Sequence, residues 1–307
     1  MKLEGIHHIT AITGDAPRNV DFYARLLGLR MVKKTVNFDA PDVYHLYYGD
    51  EVGHPGSVMT FFEFPGALPG RAGDGMVHRV VWRVAGDEAL DFWAERLTAE
   101  GVGAERREGG LLLSDPEGLE LELVVTDADD PPLTASSADI PPEHALLGFD
   151  GVRAYNARPG DSAPLLRDTL GFSEEGDGRW RLRGDERSSD LVYDAAPAPR
   201  GIQGAGTVHH VAWAAEDEDH AAWRERAAAA GARVTPIIDR DYFQSVYFRE
   251  PSGVLFELAT MSPGFTVDEP EEHLGESLKL PKQHEHLRPQ LERTLTPLEN
   301  PRAQPAR

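Results

Sequence analysis

Four stretches of this chain begin alike, and that repetition constrains the fold more than any other feature. Each opens with a short apolar run of strand character, passes into a helical pattern closed by glycine, and returns as strands. The first opens at Gly5-Ile-His-His-Ile-Thr-Ala-Ile-Thr13. Its spacing predicts a helix over about 17–27, with Val20, Tyr23, Ala24 and Leu27 on one face and Gly28 as C-cap; strands are expected at 42–48 and 57–64. The second opens at 76–84, with a helix at 87–100 and strands at 111–114 and 119–125. The third opens at 151–156, with a helix near 163–170 and strands at 180–183 and 190–194. The fourth opens at 208–213, with a helix at about 217–230 and strands at 245–249 and 254–260.

Residues 126–142 are rich in Asp, Pro, Ser and Ala and look like a linker between two halves. The expected organisation is an α+β chain: an N-terminal domain over 1–130, a linker over 131–146, a C-terminal domain over 147–262 and an extended tail over 263–307. The tail has seven prolines and many charges, and is expected to wrap the body and fray at its end.

Overlaying the repeats brings out the chemistry. The second position of the opening strand is His8, Arg79, Ala154 and His210 in turn. The closing strands align through a turn glycine, so that Gly253 leads to Glu257, Gly118 to Glu122 and Gly56 to Thr60. If modules one and four form one cleft and two and three the other, His8, His210 and Glu257 meet in the first. Arg79 and Glu122 meet in the second. An arginine has no lone pair for a metal, so an Arg79–Glu122 ion pair and no metal are expected there. Two imidazoles and a carboxylate leave about three positions of an octahedron open, the arrangement of non-haem Fe(II) oxygen chemistry. Mn(II), Zn(II) and Co(II) suit the same donors. Taken singly, a histidine in a strand is more often a satisfied core residue; the equivalence of positions is what favours a joint site.

Composition narrows the rest. There is no cysteine, which excludes disulfides, thiolate metal sites and cysteine nucleophiles. The net charge of −21 repels phosphate backbones and argues against nucleic acid. No apolar stretch approaches a membrane span and the first 30 residues lack a signal-peptide pattern, so a cytoplasmic protein without membrane contact is expected. Only five lysines stand among 31 basic residues. Adaptation to a salt-rich cytoplasm and an arginine-favouring genome explain that equally well.

The doubled His-His motifs, Tyr44-His-Leu-Tyr-Tyr-Gly-Asp50, Glu250-Pro-Ser-Gly-Val-Leu-Phe-Glu257, Pro263-Gly-Phe-Thr-Val-Asp268 and Leu274-Gly-Glu-Ser-Leu-Lys-Leu-Pro281 resemble the vicinal oxygen chelate superfamily. The closer resemblance is to its ring-cleaving dioxygenases of hydroquinone type, over about residues 4–295. It implies four βαβββ modules forming two half-barrel-type domains, and Fe(II) at His8, His210 and Glu257. It also implies active-site positions at His7, Thr10, His209, Arg240 and Tyr247. The expected partners are a small aromatic substrate and O2, with a homo-oligomer left open.

Thr10 shares strand parity with His8 and can face the cleft. His7 and His209 have opposite parity and belong to the outer wall unless the strand twists. Arg240 suits an anionic substrate oxygen or an ion pair with a neighbouring Asp. The base that takes the substrate proton is sought among His7, His209 and Tyr247. His45 and Tyr47 are taken mainly as pocket wall or core. A glyoxalase-type isomerase would need a fourth ligand where this chain has Thr60, with Glu63 on the opposite face. A non-catalytic binding protein of the same fold would usually lack the triad. Catechol-type cleavage would draw all three ligands from the C-terminal half.

Overall fold

A computed structural model describes residues 1–126 and 128–303. All four modules have the order strand, helix, three strands. Module one contains β1 (Leu3–Thr13), α1 (Ala16–Val20), β2 (Arg30–Val36), β3 (Tyr44–Gly49) and β4 (Val58–Glu63). Module two contains β5 (Met76–Val84), α2 (Asp87–Ala99), β6 (Ala104–Arg107), β7 (Gly110–Ser114) and β8 (Glu120–Val125). Module three contains β9 (Phe149–Tyr155), α3 (Pro159–Pro164), β10 (Ser173–Gly176), β11 (Arg179–Arg183) and β12 (Ser188–Asp194). Module four contains β13 (Val208–Ala215), α4 (His220–Ala229), β14 (Ile238–Asp239), β15 (Gln244–Arg249) and β16 (Leu255–Thr260).

The strands form two eight-stranded sheets, β14-β15-β16-β13-β1-β4-β3-β2 and β10-β11-β12-β9-β5-β8-β7-β6. Modules one and four therefore share one sheet and modules two and three the other, each sheet drawing one module from each half of the sequence. The joints are the antiparallel pairs β1–β13 and β5–β9. Alternation along the joint strands sends Ile9, Ala11, Val211 and Trp213 into the core and turns His8, Thr10 and His210 to the other face; a register shift between Ile6 and His8 lets Ile6 join the core as well.

Two helices differ from expectation. The first continues beyond α1 as a π-helical turn over Asp21–Leu26, and α3 does the same over Leu165–Leu170. The wider turn rotates the buried face, so Phe22 and Leu26 join Val20, Tyr23 and Leu27 inside while Ala24 is only half-buried. In α3, Pro164 lies at the junction, where it cannot donate an i→i−4 bond.

The tail runs along the body and includes short helical turns. Leu278 bridges Lys34 of β2 and the Tyr44 hydroxyl donates to the Thr296 carbonyl, 2.9 Å away. Between them lies a short helix, α5 (Arg288–Thr294), anchored by buried Leu291. Leu287, Leu291 and Leu295 recur at i, i+4 and i+8, a helical spacing interrupted by Pro289 and Pro297 and set among charges. The expected frayed end, 304–307, lies outside the described residues. Among the described residues no helix is long and apolar enough to cross a membrane.

Two buried carboxylates organise the closing turns and join the sheets. Asp115 accepts from the Glu117 and Leu119 amides, and Glu250 accepts from those of Ser252 and Val254. Gly118 and Gly253 complete these turns with φ of +94° and +113°, which only glycine adopts without strain. Tyr23 donates to Asp115 at 3.0 Å and Ser162 to Glu250 at 2.6 Å, each contact crossing between the sheets.

Candidate metal centre

The first sheet gathers its polar residues on two alternate rungs, one on either side of the Ile9–Val211 pair. On one rung Tyr247 pairs with Glu257, Glu257 with Ala212, and Ala212 with His8. On the other His210 pairs with Thr10, Thr10 with Thr60, and Thr60 with Tyr47. The side chains of His8, His210 and Glu257 are almost fully buried. His210 Nε2 and His8 Nε2 lie 2.9 and 3.2 Å from Glu257 Oε2, and 3.3 Å from each other. Among the described residues this is the only group of three or more His, Asp or Glu whose donor atoms converge in this way.

These residues fit a divalent ion. Donors held at right angles about 2.1 Å from one ion stand about 3.0 Å apart, and the separations here bracket that spacing. Glu257 Oε2 is buried without a hydrogen-bond partner of good geometry. The other oxygen, Oε1, accepts a short hydrogen bond from Ser245. Burial alone would raise the Glu257 carboxyl, but the His8 and His210 imidazoles hold it well below the usual carboxylate range. The donor set is therefore an anionic oxygen and two nitrogens.

His7 and His209 stand behind this centre. His7 Nδ1 lies 2.9 Å from His8 Nδ1, and His209 Nδ1 lies 2.8 Å from His210 Nδ1. Each pair occupies the far nitrogen of a candidate ligand and leaves its Nε2 for the ion. Burial lowers His7 to about 3 and His209 to about 4, so both rings are neutral. The second nitrogen of His7 is 3.1 Å from the Thr260 carbonyl. Neither ring lines the cavity in front of the metal centre.

That cavity, ≈ 340 Å³ with the open solvent at its mouth included, is walled by Phe38, His45, Tyr47, Phe62, Phe243 and Tyr247. Thr10, His8, His210 and Arg240 complete the lining, with Asn37 and Asp39 at the edge. Arg240 lies over the rings of Phe38 and Tyr247, each centroid 5.4 Å away, and donates to the Tyr247 hydroxyl at 3.3 Å. Its contact with Asp39, at 3.4 Å, is to a largely exposed carboxylate and is worth little. Burial, with the Glu257 charge, raises the Tyr247 phenol, which stays protonated.

Of the sequence candidates, Thr10, Arg240 and Tyr247 meet His8, His210 and Glu257 at the cavity, while His7 and His209 contact His8 and His210 from behind. Ser245 was not foreseen, although its period-2 relation to Tyr247 was the available signal. Glu63 faces away, accepting from the Ala16 amide at the start of α1. In the second sheet Arg79 pairs with Glu122 at 2.9 Å as expected, and also with Glu120.

The chain matches the Glyoxalase/Bleomycin resistance protein/Dioxygenase superfamily over residues 5–123 and 145–258. It is a member of that superfamily. Within it, the chain is 44% identical to a Bacillus subtilis protein named "Putative ring-cleaving dioxygenase MhqO", covering 97% of both chains. It is 35% identical to the chlorohydroquinone/hydroquinone 1,2-dioxygenase of Sphingobium indicum, covering 96% of both. A crystal structure of a "putative dioxygenase" from Bacillus subtilis superposes with a TM-score of 0.90 at 44% identity, over 97% of this chain and 98% of that one. Glyoxalase I of Zea mays shares the superfamily fold at 16% identity, with a TM-score of 0.58 over 84% of this chain and 92% of that one.

Proposed function

We propose that this superfamily member is a dioxygenase that cleaves the ring of para-diol (hydroquinone-type) substrates with O2, using Fe(II) held by His8, His210 and Glu257. The observation that carries this is the convergence of two imidazole nitrogens and one carboxylate oxygen within 3.3 Å, from three neighbouring strands, on the floor of an aromatic cavity. The names of the relatives support the ring-cleaving chemistry.

Bound Fe(II) supplies the one-electron chemistry by which O2 attacks an aromatic ring. The chain's residues do the rest. Phe62 and Phe243 confine the ring. Tyr247, kept protonated, donates a hydrogen bond to a substrate oxygen, and Arg240 compensates negative charge developing there. His7 and His209 hold the ligand rings in the orientation that presents Nε2. Thr60 in place of a fourth carboxylate, with Glu63 buried on the opposite face of the strand, disfavours the glyoxalase-type isomerase.

The test is oxygen uptake by Fe(II)-loaded, anaerobically prepared protein on methylhydroquinone, catechol and a methylglyoxal–thiol adduct. Uptake with methylhydroquinone alone is expected. Iron-loaded protein that consumes no oxygen with any para-diol refutes the proposal.

A further inference from the structure

The cavity contains a polar device that the metal ligands do not account for. His45, buried on β3, directs both ring nitrogens at side-chain hydroxyls, one of the cavity wall and one buried behind it. Its Nδ1 is 2.8 Å from the Tyr47 hydroxyl and its Nε2 is 2.9 Å from Thr60 Oγ1. Thr60 Oγ1 is 2.9 Å from Thr10 Oγ1, which is 2.9 Å from His210 Nε2. The ring is wedged between Tyr47 and Phe62, with centroids 4.1 and 4.4 Å away. A continuous chain of four side chains thus runs from the β3 wall of the cavity to the metal donors.

A neutral imidazole has one donor and one acceptor, and each hydroxyl has one proton. The chain therefore has two self-consistent directions. In one, Tyr47 donates to His45, His45 to Thr60 and Thr60 to Thr10, which leaves the Thr10 proton to point onward. In the other, Thr10 donates to Thr60 and can only accept from the cavity. When His210 Nε2 gives its lone pair to a metal, it can no longer accept from Thr10. The first direction then aims the Thr10 proton at the open metal face.

We infer that His45 is a positioning residue: held between Tyr47 and Thr60, it sets the direction of this hydrogen-bonded chain and so makes Thr10 a donor toward whatever binds beside the metal. This rests on the proposed metal centre and specifies how the chain prepares its open face. Hydroxyl direction alone distinguishes this role from packing, because phenylalanine could fill the same space between Tyr47 and Phe62.

The experiment compares His45→Phe, His45→Gln, His45→Asn and Thr60→Val with the wild type. Each Fe(II)-loaded protein is treated with nitric oxide as a probe of the open metal face, read by electron paramagnetic resonance. Turnover of methylhydroquinone is followed by oxygen uptake. His45→Phe and Thr60→Val should bind iron with unchanged stoichiometry yet alter the shape of the nitric oxide signal. They should lower kcat about 100-fold while KM stays within about threefold. His45→Gln, whose amide can replace Nε2 toward Thr60, should restore signal and turnover; His45→Asn, which reaches only toward Tyr47, should restore neither. A His45→Phe protein with wild-type signal and kcat overturns the inference. So does one whose iron stoichiometry falls together with kcat, since that marks packing. Wild type that holds iron but consumes no oxygen, while the signal differences persist, defeats the dioxygenase reading and leaves the role of His45 standing. Wild type that binds no iron overturns both.

Discussion

Ser245 donates to one oxygen of Glu257 and thereby leaves the other facing His8 and His210. The serine reaches no cavity wall, so its contribution is to aim the carboxylate. Ser245→Ala should weaken metal binding about 10- to 100-fold, the usual cost of losing a partner that orients a ligand. A competitive chelator titration reads this directly, and an unchanged affinity would show that the carboxylate is held by its packing alone.

His8→Ala and His210→Ala should each purify without stoichiometric iron, as measured by elemental analysis after anaerobic loading. Glu257→Gln should do the same, because a neutral amide oxygen replaces the only anionic donor. Full occupancy in any one of the three removes that residue from the ligand set.

Lys33 is completely buried on β2 and pairs with Asp268 and Glu269 of the tail at 2.6 and 2.7 Å. Glu269 is itself buried, so Lys33→Met leaves an interior carboxylate without its counter-charge, held only by the Gly275 amide and the Ser277 amide and hydroxyl. The expected loss is about 3–5 kcal/mol in urea unfolding, mainly from Glu269, since Asp268 keeps solvent contact. Lys33→Met combined with Glu269→Leu should recover much of it. A double variant no more stable than the single one would show that the pair is needed for more than mutual neutralisation.

Asp115 gives a pH dependence of defined sign. Burial raises its carboxyl from 3.8 to about 6 in the folded chain. Between those values the folded state binds the extra proton, so this group stabilises at low pH and its contribution is lost as pH rises from about 4 to 6. The full span amounts to about 3 kcal/mol. Wild type minus Asp115→Asn, compared by denaturant unfolding across that range, isolates it. A difference that does not change with pH, or that grows as pH rises, contradicts the assignment.

Much of this was legible because the repeat converts weak local signals into equivalent positions. His8 and His210 stand out only when their strands are overlaid, and the same overlay pairs Arg79 with Glu122. Other elements had no such support. β2 carries Arg30, Lys33 and Lys34, and reads as a solvated segment until the tail supplies the carboxylates that bury Lys33. β6 and β10 are fully exposed edge strands, with no buried face to impose alternation. The chain through His45 was hidden for a different reason. Its members lie on β1, β3 and β4, and which hydroxyl meets which nitrogen depends on the register of those strands, not on spacing in sequence.

The joint between β1 and β13 also has a consequence for synthesis. His8 and Glu257 are 249 positions apart (257 − 8). At ribosomal speeds of about 5–20 residues per second, roughly 10–50 s separate their appearance. For most of that interval, from the synthesis of β4 until that of β13, β1 can find β4 but not β13, and its edge stays open. The donors cannot be assembled in a half-made chain. With the proposed ligand set, metal capture by all three donors would be confined to a chain extended beyond Glu257.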